Sequence, residues 1–178
     1  MLFPKIKSSG SALVFCLFLI SCCLAWSETN QPVRPSVDDG FRGIKPGMEL
    51  KSFQDLEKQF EYKGTTTYIK KKDALSFGPY ALEEISYEFY RGRLVHINLW
   101  ASGTTSIAGV QGELKRLYGE PVLGERGELG WVGTKSMVLC HLLEHGVMNV
   151  IFLDKKLHSE LAAMRKRGDY NESSDDEM

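Results

Sequence analysis

Apolar and polar positions divide the chain into four stretches. Ala12 to Ile20 is an unbroken apolar run of nine residues. Residues 27–40 are polar and include Pro32 and Pro35. From Phe41 to about Arg167 the apolar positions recur at the spacings of helices and strands. Beyond Gly168 aliphatic side chains cease.

Within the third stretch the spacings predict three helices. Ser52 is placed to cap the first, with Asp55 three residues on as the reciprocal acid. Phe53, Leu56 and Phe60 would form its stripe. The second runs from about Ser106, with Ile107, Val110, Leu114, Leu117 and Tyr118 on one face, and stops at Gly119 and Pro121. The third covers about Lys156–Arg167 on Leu157, Leu161 and Met164. Arg165, Lys166 and Arg167 there meet the negative end of the helix dipole, and Gly168 closes it.

Strands are read from period-two alternation. Residues 85–100 turn near Gly92. A two-residue turn at Arg91-Gly92 would separate the apolar sets of the two arms. A three-residue loop Tyr90-Arg91-Gly92 instead pairs Tyr87 with Val95 and Ile85 with Ile97 on one face, and it is the register expected. Residues 136–153 repeat the design, and a loop Glu144-His145-Gly146 pairs Cys140 with Val150 and Val138 with Phe152. Thr65–Lys71 ends in lysines and reads as an edge strand. The expected fold is α+β. A single antiparallel sheet is built from two helix-then-hairpin units, with the helices packed on one face. Gly47 and Gly103 would open the two halves of a weak internal repeat.

The N-terminus changes the picture. Lys5 and Lys7 precede the apolar run, which is long enough for a signal-peptide core and too short to span a bilayer. Leu19-Ile20-Ser21-Cys22 resembles the lipobox of bacterial lipoproteins, and Ile20-Ser21-Cys22-Cys23 is a second legal register. That resemblance implies removal of residues 1–21 and diacylglycerol attachment at Cys22, with several acyl chains giving a lasting anchor. The alternative is ordinary cleavage after Ala25 and a soluble periplasmic protein. The expected organisation is a signal peptide at 1–21, a disordered tether at 22–40, one domain at 41–167 and a disordered acidic tail at 168–178.

Charge and cysteines refine this. The whole chain has 22 basic and 23 acidic residues, a net formal charge of -1. The core 41–168 nevertheless holds 19 basic against 15 acidic residues, and residues 169–178 hold five acids. Neither figure is the basic excess of a nucleic-acid partner. Of four cysteines only Cys140 lies in the core, so no intramolecular disulfide is expected there.

Phe41-Arg42-Gly43-Ile44-Lys45-Pro46-Gly47-Met48, then Tyr87-Glu88-Phe89, Gly92-Arg93-Leu94 and Tyr118-Gly119-Glu120-Pro121, resemble a group of uncharacterised exported bacterial proteins over residues 41 to about 153. Gly47-Met48 also bears a distant similarity to SmpA/OmlA-type assembly lipoproteins and to β-lactamase-inhibitor-like folds. Neither resemblance brings catalytic residues.

The sharpest chemical motif is His141-Leu142-Leu143-Glu144-His145, an inverted zinc-peptidase spelling. On a helix His141 and His145 would share a face for zinc, with Glu144 as base. On a strand they stand roughly 13 Å apart, beyond one metal. The strand reading is preferred, so no metal, cofactor or catalytic set is expected. Trp100, Trp131 and His96 are the candidate ligand-facing residues. The function expected is a non-enzymatic cell-envelope binding or assembly module. Its membrane contact is through Cys22, and its partner is an envelope protein, peptide or glycan. A metal-dependent hydrolase on His141 and His145 is the alternative.

Overall fold

The structure, a computed structural model, describes residues 34–169. The expected signal peptide, the expected lipid site Cys22, the alternative cut after Ala25 and nearly all of the expected acidic tail lie outside the described residues.

Among the described residues ten strands and two α-helices form. They are β1 Leu56–Tyr62, β2 Thr65–Lys70, β3 Ser76–Phe77, β4 Tyr80–Ala81, β5 Glu84–Tyr90, β6 Arg93–Ser102, α1 Thr104–Tyr118, β7 Val122–Leu123, β8 Leu129–Val132, β9 Ser136–Leu143, β10 Val147–Asp154 and α2 Lys155–Arg167. Eight strands make one sheet in the order β1-β2-β5-β6-β10-β9-β8-β7. Each neighbouring pair is antiparallel. β3 and β4 form a separate small hairpin. The fold is α+β.

The sheet has two unlike faces. On one, Ile85, Tyr87, Phe89, Ile97, Leu99, Val138, Cys140, Val150 and Phe152 pack with Val110 and Leu114 of α1. We call this the closed face. On the other, Leu157, Leu161 and Met164 of α2 pack with Tyr90 and Val95. The expectation of both helices on one face is therefore corrected. The units are also reordered. β1, β2, β5 and β6 precede α1, and β7 to β10 precede α2.

A bulge explains how α2 finds its seat. Arg91 and Gly92 both have positive φ (50° and 71°), as a two-residue hairpin turn requires. Phe89 pairs with Leu94, Glu88 with His96, Tyr87 with Ile97 and Ile85 with Leu99. Val95 is the extra residue. It restores the parity that a two-residue turn would have broken, so the expected three-residue loop is not used. The bulge also turns Val95 away from the closed face. An apolar patch thereby arises on the open side, and the α2 stripe covers it. Asp154 caps α2 by accepting from Leu157 N at 2.8 Å, and Gly168 ends it in the left-handed region. The second hairpin has the expected pairs, Cys140 with Val150 and Val138 with Phe152.

The first predicted helix is not formed. Leu50–Ser52 is one short 3-10 turn, and Leu56 onward is strand β1. β1 lies outside β2, so Thr65–Lys70 is interior and β1 is the edge. That edge is blunted by Glu57, Lys58 and Glu61 and by a register shift between Lys58 and Phe60. The fold also begins earlier than residue 41. Ser36 caps the turn Val37–Asp39, Val37 is buried, and Asp38 accepts from the N–H groups of Thr134, Lys135 and Ser136.

Two glycines in α1 give opposite expectations. Glycine in a helix interior costs about 1 kcal/mol against alanine. A Cβ on Gly112 meets nothing, so Gly112→Ala is expected to stabilise by up to about 1 kcal/mol. A Cβ on Gly109 would lie 2.2 Å from the ring of Tyr80. Gly109→Ala is expected to destabilise by roughly 1–3 kcal/mol despite the better helix former. Urea unfolding of the two variants checks the pair of signs.

Candidate functional site

The open face is where chemistry collects. α2 crosses only one end of it, leaving a groove of about 690 Å³. Its floor is made by alternate residues of adjacent strands: Thr65 and Thr67 of β2, Ser86 and Glu88 of β5, Asn98 and Trp100 of β6. Phe60 and Tyr62 of β1 form one wall and are 57% and 56% exposed. Arg165 of α2 closes one end. An antiparallel sheet with one free face ordinarily turns polar residues to solvent. Three aromatic rings there are a departure that a binding surface explains.

Beneath α2 lies a connected polar chain. Glu88 Oε2 is 2.6 Å from His96 Nδ1, and His96 Nε2 is 2.8 Å from His158 Nδ1. Arg165 donates to Glu88 Oε1 and to Thr65 Oγ1, each at 3.0 Å, and to the carbonyl of Lys63 at 3.2 Å. With both rings neutral, this order fits one arrangement of protons. Ionised Glu88 accepts the Nδ1 proton of His96, whose bare Nε2 accepts from Nδ1 of His158. The outer nitrogen of His158 is then the unprotonated one. Burial alone would raise Glu88. The bond from His96, with bonds from Thr65 and Arg165, overcomes it and holds the carboxyl down at about 2. Burial and the nearby His96 push His158 below its ordinary value.

The three candidate ligand-facing residues separate. Trp100 lines the groove. His96 is buried and bonded through both ring nitrogens, so it holds α2 to the sheet instead of meeting a ligand. Trp131 is 3% exposed on the closed side, and its indole N–H donates to Gly119 O at 2.8 Å. His141 stands on β9 and His145 in the following turn at φ 64°. The helix that the zinc-peptidase spelling needs is thus absent there. Among the described residues no group of three or more His, Cys, Asp or Glu is placed to hold a metal. Cys140 is buried with Sγ 3.2 Å from Met148 Sδ, and burial raises its thiol pKa above the ordinary value.

Sequence reasoning missed Phe60, Tyr62, His158 and Arg165. The first two were hidden by the helix reading of β1. The last two reach Glu88 and His96 only because α2 folds back over the open face. Glu88 and His96 both take outward positions in the hairpin, but they face each other only through the Val95 bulge.

No family model, curated protein or solved structure matches this chain.

Proposed function

We propose that the protein is a non-enzymatic binding module of the bacterial cell envelope. It is exported, joined to lipid at Cys22 and tethered by the segment before Arg34. The open sheet face is its recognition surface, and the ligand is an envelope protein, peptide or glycan. The observation that carries the reading is the groove itself. A sheet face free on one side bears Phe60, Tyr62 and Trp100 in place of uniformly polar residues. The signal-like N-terminus and Leu19-Ile20-Ser21-Cys22 support the anchor.

Two measurements test it together. Cells fed a clickable fatty acid are expected to label the full chain and to lose that label in Cys22→Ser. Label that persists in the variant, or no label at all, removes the anchor. The aromatic side chains of the groove are expected to be shielded in cells and open in purified protein.

A further inference from the structure

Resting on the open face as the recognition surface, we propose that its ligand is a basic peptide segment, with a lysine or arginine side chain seated between Glu84 and Trp100. Glu84 and Trp100 are directly opposed across β5 and β6. Side chains so placed stand about 5 Å apart at their Cβ atoms, on one face of the sheet. Both line the groove. A carboxylate beside an indole offers a cation an opposite charge and an electron-rich ring together.

The charges at that end of the groove are of one sign. Glu84 is exposed, and its side chain makes no hydrogen bond or ion pair among the described residues. Glu83 adjoins it and accepts only from Ser102 Oγ, a neutral group, at 2.5 Å. Both acids also line an adjoining hollow of about 390 Å³ that shares Phe60 and Thr67 with the groove and is lined on its other side by Lys70, Lys71 and Asp73. Glu88 is different, since His96 and Arg165 already answer it. Arg165 is spent on Glu88, Thr65 and Lys63 and sits at the far end. The aromatic wall is suited to cations, because Lys63 Nζ lies 5.0 Å from the centre of the Tyr62 ring. What is left without a partner is the carboxylate of Glu84 beside Trp100.

An extended peptide fits these features. Its alternate side chains point one way, so a basic residue at Glu84 leaves apolar neighbours for Phe60 and Tyr62. An acidic peptide would meet Glu83 and Glu84 with like charge. A neutral sugar could stack on Trp100 but would not depend on the charge of Glu84.

The test is calorimetric titration of the full chain with three probes. These are an acetylated, amidated octapeptide alternating lysine and leucine, its glutamate-leucine counterpart, and a hexamer of N-acetylglucosamine. The lysine peptide is expected to bind, and more weakly as salt rises. Glu84→Gln and Trp100→Ala are each expected to weaken it by about tenfold. Glu84→Gln removes only an exposed charge, and an unchanged thermal melt shows that the fold is kept. No binding of the lysine peptide, or equal binding by Glu84→Gln, overturns the proposal. Binding of the glutamate peptide or the sugar that Trp100→Ala abolishes overturns the basic ligand but leaves the open face as a binding surface. If all three probes fail and the groove aromatics are equally labelled in cells and in isolation, both readings fall.

Discussion

Glu88→Ala is expected to destabilise the domain by about 3–5 kcal/mol, the largest effect of any polar substitution in it. The reason is what the substitution leaves behind. Glu88 Oε2 answers His96 and Oε1 answers Arg165, and its side chain is only 16% exposed. Removing it leaves the Arg165 guanidinium facing Thr65 and a carbonyl, and leaves His96 Nδ1 without an acceptor. A buried donor that loses its partner bears the full desolvation cost. Glu88→Gln keeps the volume and one acceptor, so its loss should be smaller. Urea unfolding gives the comparison. With a slope of about 2 kcal/mol per molar, the alanine variant should lose more than about 1 M in midpoint. A loss below roughly 0.5 kcal/mol would mean that the chain of bonds does not hold α2 to the sheet.

Acid should take the same interaction apart in two steps. Both groups have folded pKa values below their unfolded ones, so the stability they supply is present at high pH and lost as pH falls. His158 acts first. Its ordinary value is 6.5 and burial lowers it, so stability begins to fall as pH drops below about 6.5. The first proton enters at the outer nitrogen and leaves the bond to His96 intact. Glu88 acts next, between its ordinary value of 4.5 and about 2. A depression of that size corresponds to stabilisation on the order of 3 kcal/mol, consistent with the alanine substitution. Melting temperatures recorded from pH 8 to pH 3 should fall in these two windows. His158→Gln should abolish the upper step and keep the lower. An upper step that survives in this variant would assign it to another group.

The elements legible in the sequence are those whose cues are local. α1 and α2 announce themselves by a single apolar stripe and a glycine stop. The second hairpin does so by strict alternation around Glu144-His145-Gly146. The misreadings share one cause, a bulge. In β6 the extra residue Val95 lets a two-residue turn keep both apolar sets on one face, which parity alone forbids. In β1 the shift between Lys58 and Phe60 sends Leu56 toward the closed core and Phe60 into the groove. Phe53, Leu56 and Phe60 then imitate a helical stripe although they do not share a surface. The candidate site was half visible for a related reason. Trp100, Glu88 and His96 take outward positions of one hairpin, and the bulge then sets Glu88 opposite His96. Arg165 lies 77 residues from Glu88, and its part depends on where α2 comes to rest.

A recognition surface on the open face must be occupied where the protein works. The most direct measurement is photochemical carbene labelling of side chains, read by mass spectrometry, on the full chain in cells and after purification. Phe60, Tyr62 and Trp100 should be labelled strongly in the purified protein and be shielded several-fold in cells, while exposed Val122 and Leu123 at the far edge of the sheet change little. Equal labelling of the three aromatics in both settings would contradict a recognition surface on this face.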